Sequence, residues 1–377
     1  MKKQLSLYVH FPFCEHKCNY CDFYSIIDFT NQENYTKYLV NEIIYYSKLL
    51  NNEYQIKTIF FGGGTPTALP LELFEKICSA IFDNFDIDLG YEWTLEANPN
   101  SLVHNLKYYK DLGINRLSIG VQSFSDRDLK FLTRIHNSKE AINIIHKAYN
   151  LGFKNINIDL IFNLPTHNIR TIKKNLEIVT SLPIKHISYY SLILENGTQL
   201  YYQVLNNQIK LKSDANDLKY YRFIIDFLSE KGFNQYEVSN FAKEGYECRH
   251  NLTYWHYDEY LGLGPSAHSF IKNKRWWNYR NIRYYIENIQ KYGNAVKSSE
   301  ILSTEQMLDE FLMLSFRSDG LNLNKLPEIN GLNEKITNIK PKLNNFLKNN
   351  LMKFENNIYK LTSDGYAVAD KIIEILL

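Results

Sequence analysis

The feature that most constrains the fold is a regular alternation of strand-like and helix-like stretches over the first half of the chain. Short apolar stretches rich in β-branched and aromatic residues recur at intervals of roughly 30 residues and predict six strands. They lie at residues 4–10, 57–61, 91–96, 115–121, 154–162 and 185–192. Amphipathic stretches predict helices between them, at residues 31–50, 71–85, 101–112, 138–149 and 168–180. This alternation is typical of parallel βαβ units, which fit an incomplete barrel as well as an open sheet.

Three of the five cysteines lie just after the first predicted strand, as Cys14, Cys18 and Cys21. The spacing C-x3-C-x2-C allows three thiolates on one loop to converge on one inorganic centre, and cysteine thiolates are the ligands of iron–sulfur clusters. A 4Fe–4S cluster is completed by four such ligands. Because a fourth cysteine is missing here, one iron would stay open to another ligand.

Other interpretations of the cysteines are weaker. A structural zinc site takes four ligands, and His10 or His16 could supply the fourth, but no second CxxC or HxxxH motif follows. The alternative that the three cysteines are unconnected, buried thiols is disfavoured, because the loop is rich in charged and polar residues. The odd cysteine count and the absence of a secretory signal disfavour disulfides.

Charge and hydropathy narrow the partners and the compartment. The net charge is only +2 and the Lys and Arg residues are dispersed, so a nucleic-acid partner is not expected. No stretch approaches the roughly 18 apolar residues that span a bilayer, and no signal-peptide cleavage site follows the start. We expect a cytoplasmic protein, a monomer or a dimer, with no transmembrane segment and with peripheral membrane contact left open.

Aromatic residues are abundant, with 29 Tyr and 22 Phe. They predict either ordinary core packing in a chain of biased composition or an aromatic pocket for a flat ligand. The count alone does not decide between the two.

A glycine-rich turn, Gly62-Gly63-Gly64-Thr65-Pro66, ends the second predicted strand. Glycines allow backbone amides to approach an anion or a zwitterion, although such a turn on its own is more often only a turn. It is not a P-loop, because no Gly-Lys-Ser/Thr follows.

Further polar residues stand at the ends of later strands, where βα enzymes place their sites. They are Glu96, Gln122 and Asp159, with Arg134 on the loop after Gln122. Each of these residues alone could be a helix cap or part of a surface ion pair, but their recurrence at successive strand ends favours a binding site.

A third motif, His-Asn-x-x-Tyr-Trp, begins at His250. A histidine can ligate a metal ion, and Tyr254 and Trp255 could stack on a flat ligand. The spacing alone favours a hydrogen-bonded core histidine instead. Cys248 is an alternative thiolate ligand, and Cys78, on a helix stripe, is predicted to be a small buried apolar residue.

Taken together, these motifs resemble a known family. C-x3-C-x2-C after a first strand resembles the signature of the radical S-adenosylmethionine (SAM) superfamily. The flanking sequences at residues 8–14 and 21–25, Tyr-Val-His-Phe-Pro-Phe-Cys and Cys-Asp-Phe-Tyr-Ser, are similar to the oxygen-independent coproporphyrinogen III oxidase group. His-Asn-x-x-Tyr-Trp at residues 250–255 resembles the motif of the heme chaperone branch of that group. The resemblance covers nearly the whole chain.

The resemblance implies an α/β fold, a partial (β/α)6 TIM-like barrel, together with three cofactors. Cys14, Cys18 and Cys21 would hold a 4Fe–4S cluster whose open iron is chelated by SAM, and His250 would bind heme. The residues expected around SAM are Gly63, Gly64, Thr65, Glu96, Gln122, Arg134 and Asp159, and Tyr8 is expected beside the cysteine loop as a further cofactor-binding residue.

The function expected from the resemblance is that of a heme chaperone that delivers heme to respiratory hemoproteins. The oxidases carry a fourth cysteine where this chain has Phe23, and a longer arm than the 13 residues before Cys14. Both differences disfavour decarboxylation of a porphyrinogen. An oxidase-like radical SAM enzyme is the alternative, and a zinc-stapled structural protein is a third hypothesis.

The pattern changes after about residue 200. We expect a barrel over 1–200 and an aromatic-rich extension with the His-Asn-x-x-Tyr-Trp motif over 201–298. Helices followed by a small hairpin predict a winged-helix-like, mainly helical domain over 299–377.

Overall fold

The computed structural model describes residues 2–377, and its centre is a large twisted sheet. The strands are β1 (Lys3–Phe11), β2 (Tyr54–Gly63), β3 (Ile87–Ala97), β4 (Arg116–Gln122), β5 (Asn155–Phe162), β6 (His186–Ser191), β7 (Asn234–Gln235), β8 (Asn240–Ala242), β9 (Tyr260–Leu263), β10 (His268–Ile271), β11 (Lys274–Asn278), β12 (Val296–Ile301), β13 (Leu321–Asn322), β14 (Met352–Glu355) and β15 (Ile358–Leu361).

Helices alternate with the first six strands and then follow one another more irregularly. They are α1 (Gln32–Leu50), α2 (Leu71–Asn84), α3 (Leu106–Asp111), α4 (Asp126–Phe131), α5 (Ser138–Asn150), α6 (Ile169–Ser181), α7 (Gln199–Leu205), α8 (Asp214–Glu230), α9 (Arg249–Trp255), α10 (Ile282–Tyr292), α11 (Thr304–Phe316), α12 (Leu332–Lys348), α13 (Ser363–Tyr366) and α14 (Ala369–Leu376).

The large sheet has the strand order β12-β11-β10-β9-β1-β2-β3-β4-β5-β6-β8-β7. Neighbours from β1 to β6 are parallel, as is β9 beside β1, and the other neighbours are antiparallel. Between residues 2 and 377 no ladder joins β12 to β7, so the sheet stays open. The predicted α/β fold with a partial, unclosed barrel is confirmed.

The predicted strands are present, although β3 begins at Ile87, four residues before its predicted start, and one predicted helix is divided. β2 begins at Tyr54, three residues before its predicted start. The helix predicted over 101–112 is divided into a short 3-10 turn at Asn100–Leu102 and α3. The Ser101 hydroxyl donates to the Asn98 carbonyl at 2.9 Å and accepts from the Asn98 amide at 3.2 Å. Because this side chain closes a local turn, the helix starts only at Leu106.

Polar and apolar residues alternate along the central parallel strands. Successive side chains of a strand point to opposite faces. The apolar set, which includes Trp93, Leu117 and Ile158, is fully buried in the main core that the flanking helices share. The opposite face carries polar side chains that converge inside the barrel, namely Glu92, Thr94, Glu96, Arg116, Ser118, Asn157 and Asp159. The inner face is therefore built for polar chemistry.

The extension is joined to the barrel through β9 and through a buried carboxylate on α1. Glu42 is fully buried and accepts hydrogen bonds from the Gly264 amide (2.8 Å), the Asn278 amide (2.8 Å) and the Tyr285 hydroxyl (2.7 Å). Burial raises the pKa of Glu42 to about 7. Three donors from β11, α10 and the loop after β9 thus fix the extension against the first helix.

A second apolar core lies in the last part of the chain. It is formed by residues of α11, α12 and α14 together with the sheet β13-β15-β14. Helices packed on a small antiparallel sheet agree with the winged-helix-like prediction. The three-part division at residues 200 and 298 stays a prediction.

Candidate functional site

The cysteines lie on a loop, residues 12–26, that follows β1; we call it the cluster loop. Its two ends are held together, because the Cys14 amide donates to the Ile26 carbonyl at 2.9 Å and the Ile26 amide donates to the Pro12 carbonyl at 2.7 Å. Its middle is anchored at Asn19, whose amide donates to the Thr133 hydroxyl at 3.0 Å. The loop is thus fixed to the edge where the parallel strands end.

The three thiols are free and partly exposed. Cys14 Sγ lies 3.4 Å from Thr65 Oγ1, and Cys18 Sγ accepts a hydrogen bond from Arg134 Nη1 at 3.2 Å. Burial, together with the neighbouring thiols, raises the pKa of Cys21 to about 11, and burial raises the pKa of Cys14 as well. Since only thiolates bind iron, metal binding here would release protons.

The donor set fits an iron–sulfur cluster better than a zinc ion. Among residues 2–377, no three His, Cys, Asp or Glu side chains converge on a single metal ion. Thiolates of a four-iron cluster each bind a different iron, so they need not meet at one point. His10, a candidate fourth zinc ligand, has both ring nitrogens within hydrogen-bonding distance of partners, the Tyr8 hydroxyl at 3.0 Å and the Tyr24 carbonyl at 2.9 Å.

The glycine-rich turn packs directly against the cluster loop. Gly63 has φ +103°, and a Cβ added there would lie 2.4 Å from the His10 ring. Gly64 and Thr65 donate backbone hydrogen bonds to the carbonyls of β1 and the cluster loop, at 2.7 and 2.8 Å. Only glycine at position 63 permits this approach. The Gly63 amide donates to Glu96 Oε2 at 3.0 Å, so the turn also reaches β3.

Two carboxyl groups lie on the inner side of the sheet, Glu96 against this turn and Asp159 two strands further along. Burial and the charge of Asp159 raise the pKa of Glu96 to about 8. Burial also raises the pKa of Asp159, although Asn157 donates to its carboxylate at 2.8 Å and Ser118 at 3.2 Å. Because the pKa values of both carboxyl groups are raised, a cationic ligand would stabilise their ionised form. A sulfonium with an ammonium group is such a ligand.

Gln122 and Arg134 both approach Gly120 on β4, the strand between those of Glu96 and Asp159. Gln122 ends β4 at φ +70°, where the ladder to β5 shifts register. A non-glycine residue in the left-handed region is strained, and such strain concentrates at functional sites. Arg134 donates to Cys18, to the Gly120 carbonyl at 2.7 Å and to the Asn98 side chain. In this structure it therefore links the cluster loop to β4.

Tyr8 and His250 lie on the extension side of the same region. The Tyr8 and His250 ring centroids are 6.5 Å apart, and His250 stacks on Phe60 at 5.0 Å. His250 is buried, with Nδ1 2.7 Å from Thr58 Oγ1 and Nε2 2.9 Å from the Tyr254 hydroxyl. Burial lowers its pKa to about 3. Its role as a heme ligand stays a prediction, and ligation would require breaking one of these contacts.

The remaining cysteines are buried away from the cluster loop. Burial raises the pKa of Cys248 to about 12, and its thiol points at Glu92 Oε1, 3.6 Å away. Cys78 is 4% exposed within the main core, which confirms the prediction of a small buried residue. Both are thiols rather than thiolates at neutral pH.

Two adjoining cavities, which the sequence did not predict, lie next to the cluster loop. One, of about 540 Å³, is lined mainly by residues 254–277, and the other, of about 330 Å³, reaches the cluster loop at Asp22, Phe23 and Tyr24. They share Tyr254, Tyr260 and His268. We call the two together the aromatic cleft. Most of the residues that line the cleft belong to the aromatic-rich extension predicted over 201–298, but no motif marked His268.

Comparison with known proteins agrees with the geometry. Residues 8–179 match the family model of the Radical SAM superfamily. The chain is 36% identical to the heme chaperone HemW of Bacillus subtilis over 83% of each chain. It is 29% identical to HemW of Escherichia coli over 99% of this chain and 98% of that protein.

The fold has a solved counterpart. The structure of coproporphyrinogen III oxidase (HemN) from Escherichia coli, a radical SAM enzyme, superposes with a TM-score of 0.83 at 21% identity, covering 100% of this chain and 90% of that one. None of the helices between residues 2 and 377 combines the length and the apolar character that a bilayer crossing requires. With the cysteine loop, the glycine turn and the identity to the curated chaperones all in agreement, the chain belongs to the heme chaperone HemW family of the radical SAM superfamily.

Proposed function

We propose that this protein is a heme chaperone that binds one 4Fe–4S cluster, SAM and heme, and that delivers heme to respiratory hemoproteins. Cys14, Cys18 and Cys21 would hold the cluster, whose open iron would take the amino and carboxylate groups of SAM. The observation that carries the proposal is the packing of the cluster loop on the glycine turn, where Cys14 Sγ lies 3.4 Å from Thr65 Oγ1 and the Gly63 amide donates to Glu96.

The contacts around Gly63 and Glu96 support the SAM assignment. The Gly63 amide and the Glu96 carboxyl lie 3.0 Å apart at the mouth of the barrel, next to the cluster loop. Asp159, Gln122, Tyr8, Gly64 and Thr65 line the same edge and would complete the SAM site. Arg134 would act there through Cys18, by fixing the loop that carries the cluster.

The heme assignment rests on the relatives, which are named heme chaperones, and on the His-Asn-x-x-Tyr-Trp motif. Free thiols and an oxygen-sensitive cluster suit a reducing compartment, so we place the protein in the cytoplasm.

An oxidase-like radical SAM enzyme is the second candidate, because the fold matches coproporphyrinogen III oxidase over the full chain. The side chain at position 23 argues against it. The oxidase group carries a cysteine there, whereas this chain has Phe23, which is 68% exposed. The site therefore lacks a thiol that the resemblance associates with porphyrinogen decarboxylation.

Heme transfer and porphyrinogen turnover can be measured on one preparation. The full chain is reconstituted anaerobically, loaded with heme and mixed with an apo-form of a respiratory hemoprotein, with free heme at the same concentration as the control. A parallel sample receives coproporphyrinogen III, SAM and a reductant. We expect faster heme incorporation than from free heme, and no protoporphyrinogen. Protoporphyrinogen formation without heme transfer would replace the chaperone proposal with the oxidase.

A further inference from the structure

The aromatic cleft has the size and walls of a site for a flat ligand. Its two cavities, of about 540 and 330 Å³, each lie within the roughly 300–1,000 Å³ typical of ligand pockets. Aromatic side chains line much of the larger cavity, namely Tyr254, Tyr257, Tyr260, Phe270 and Trp277. Such walls suit a porphyrin face, because aromatic rings stack on flat π-systems.

His268 stands in the wall that the two cavities share. It is the first residue of β10, and its side chain is exposed to the cleft. Its ring lies over Trp277, with centroids 5.8 Å apart and an angle of 23° between the planes. In the described part of the chain, no hydrogen bond engages either of its ring nitrogens, whereas His10 and His250 use both of theirs.

The surroundings of the His268 ring favour its neutral form. Partial burial and the nearby Arg275 lower the pKa of His268. Arg275 itself is paired with Glu300 and Glu310 in the wall of the larger cavity. A neutral imidazole with a free nitrogen is the form that ligates iron.

The smaller cavity supplies a cation and a path to the cluster loop. Arg280 lies in its wall, with its side chain 57% exposed, and pairs loosely with Asp22 at 3.5 Å. Its guanidinium also donates to the Asp22 carbonyl at 2.7 Å. A carboxylate on a ligand edge could share this guanidinium.

We propose that heme lies in the aromatic cleft with His268 as an axial ligand of its iron, Trp277 behind the imidazole and Arg280 beside a propionate. This assignment rests on the proposed heme binding and gives it a place and a ligand. It differs from the prediction for His250, whose ring is buried and hydrogen-bonded.

The test is a heme titration of the full chain, followed by visible absorption and by low-temperature electron paramagnetic resonance. We compare the wild-type protein with His268→Ala, His250→Asn and the control His146→Ala, which removes an exposed histidine from α5. We expect His268→Ala to weaken heme binding roughly tenfold or more and to change the spectrum, with added imidazole restoring it. His146→Ala should behave like the wild type.

The two ways of failing are distinguishable. If the wild-type protein binds no heme, the proposed function fails and the inference with it. If the wild type binds heme and folded His268→Ala keeps both affinity and spectrum, only the assignment of His268 is overturned. Loss of the signal in folded His250→Asn, with His268→Ala unchanged, would transfer the ligand role to His250. Thermal unfolding of each variant establishes that it is folded.

Discussion

The edge where the parallel strands end and the aromatic cleft lie side by side but are built differently. At the strand ends, glycines allow close backbone approach, and polar groups such as Glu96 and Arg134 are already hydrogen-bonded to neighbours. In the cleft, large rings enclose open space, and the His268 ring stacks on Trp277 without a side-chain hydrogen bond to any of residues 2–377. The first region is preorganised for a small polar ligand, and the second leaves room for a large flat one.

The largest effect expected is the loss of the cluster in Cys18→Ala. Removing one of three ligands should lower bound iron to roughly a tenth of the wild-type content or less after reconstitution. If the two regions bind their ligands separately, heme binding should persist in this variant. Iron and sulfide analysis, with a heme titration, checks both.

Cys78→Ala is the matched control for Cys18→Ala, since it removes a buried thiol outside the cluster loop. It should retain the cluster. Loss of iron in both variants, or in neither, would contradict the ligand assignment.

Gly63→Ala tests whether the close packing at the strand ends requires a glycine at this position. An alanine Cβ would lie 2.4 Å from the His10 ring on a backbone with φ +103°, so we expect about 3 kcal/mol of destabilisation and weaker SAM binding. Gly197→Ala is the control, because Gly197 also has positive φ (+83°) but a Cβ there meets nothing within 4 Å. That variant should lower the free energy of unfolding by about 1 kcal/mol. Equal losses on urea unfolding would show that close approach is not what selects Gly63.

Glu42→Ala tests the attachment of the cleft to the barrel. It leaves the Gly264, Asn278 and Tyr285 donors without their acceptor, so we expect a loss of about 2 to 3 kcal/mol. Glu33→Ala, an exposed site on the same helix, should change the free energy of unfolding by about 0.5 kcal/mol or less. Similar values for the two variants would mean that the three contacts do not hold the extension.

The smallest effect expected is on the pH dependence of SAM binding. Because the pKa of Glu96 is raised to about 8, its carboxyl is largely protonated at neutral pH. A cationic ligand favours the ionised form, so SAM affinity should rise between about pH 6 and about pH 9. Glu96→Gln should bind SAM more weakly and flatten this rise. A slope that is the same in both proteins, by equilibrium binding, would exclude Glu96 as its source.

The Glu96 carboxyl should also make folding stability depend on pH. Its contribution should fall as pH rises, whereas SAM affinity should increase. A folded-state pKa above the ordinary value of 4.5 means that the folded protein binds the extra proton, so the contribution of Glu96 to stability falls as pH rises from about 4.5 to about 8. Glu96→Gln should remove this component from a series of unfolding measurements without ligand.

Periodicity and local motifs predicted the parallel strands, the cysteine loop and the glycine turn, because these features are encoded by neighbouring residues. Contacts between distant residues were not predictable in this way. Glu42 and Gly264 are 222 positions apart, and only the fold shows that they meet. Likewise, Gln122 has a left-handed backbone conformation where the register between β4 and β5 shifts. No single residue in the sequence predicts that shift.

The two histidines show the same limit. The motif around His250 drew attention to that residue, yet the fold buries its ring against Thr58 and Tyr254. His268 carries no motif and becomes notable only because β10 places it between two cavities.

The central claim is that three thiols hold an iron–sulfur cluster with one iron open to SAM. The direct measurement is low-temperature electron paramagnetic resonance of the reduced, anaerobically reconstituted wild-type protein, with and without SAM, beside iron and sulfide analysis. The account predicts about four iron and four sulfide per chain and a spectrum that changes when SAM is added. One zinc per chain without iron, or a cluster signal indifferent to SAM, would contradict it.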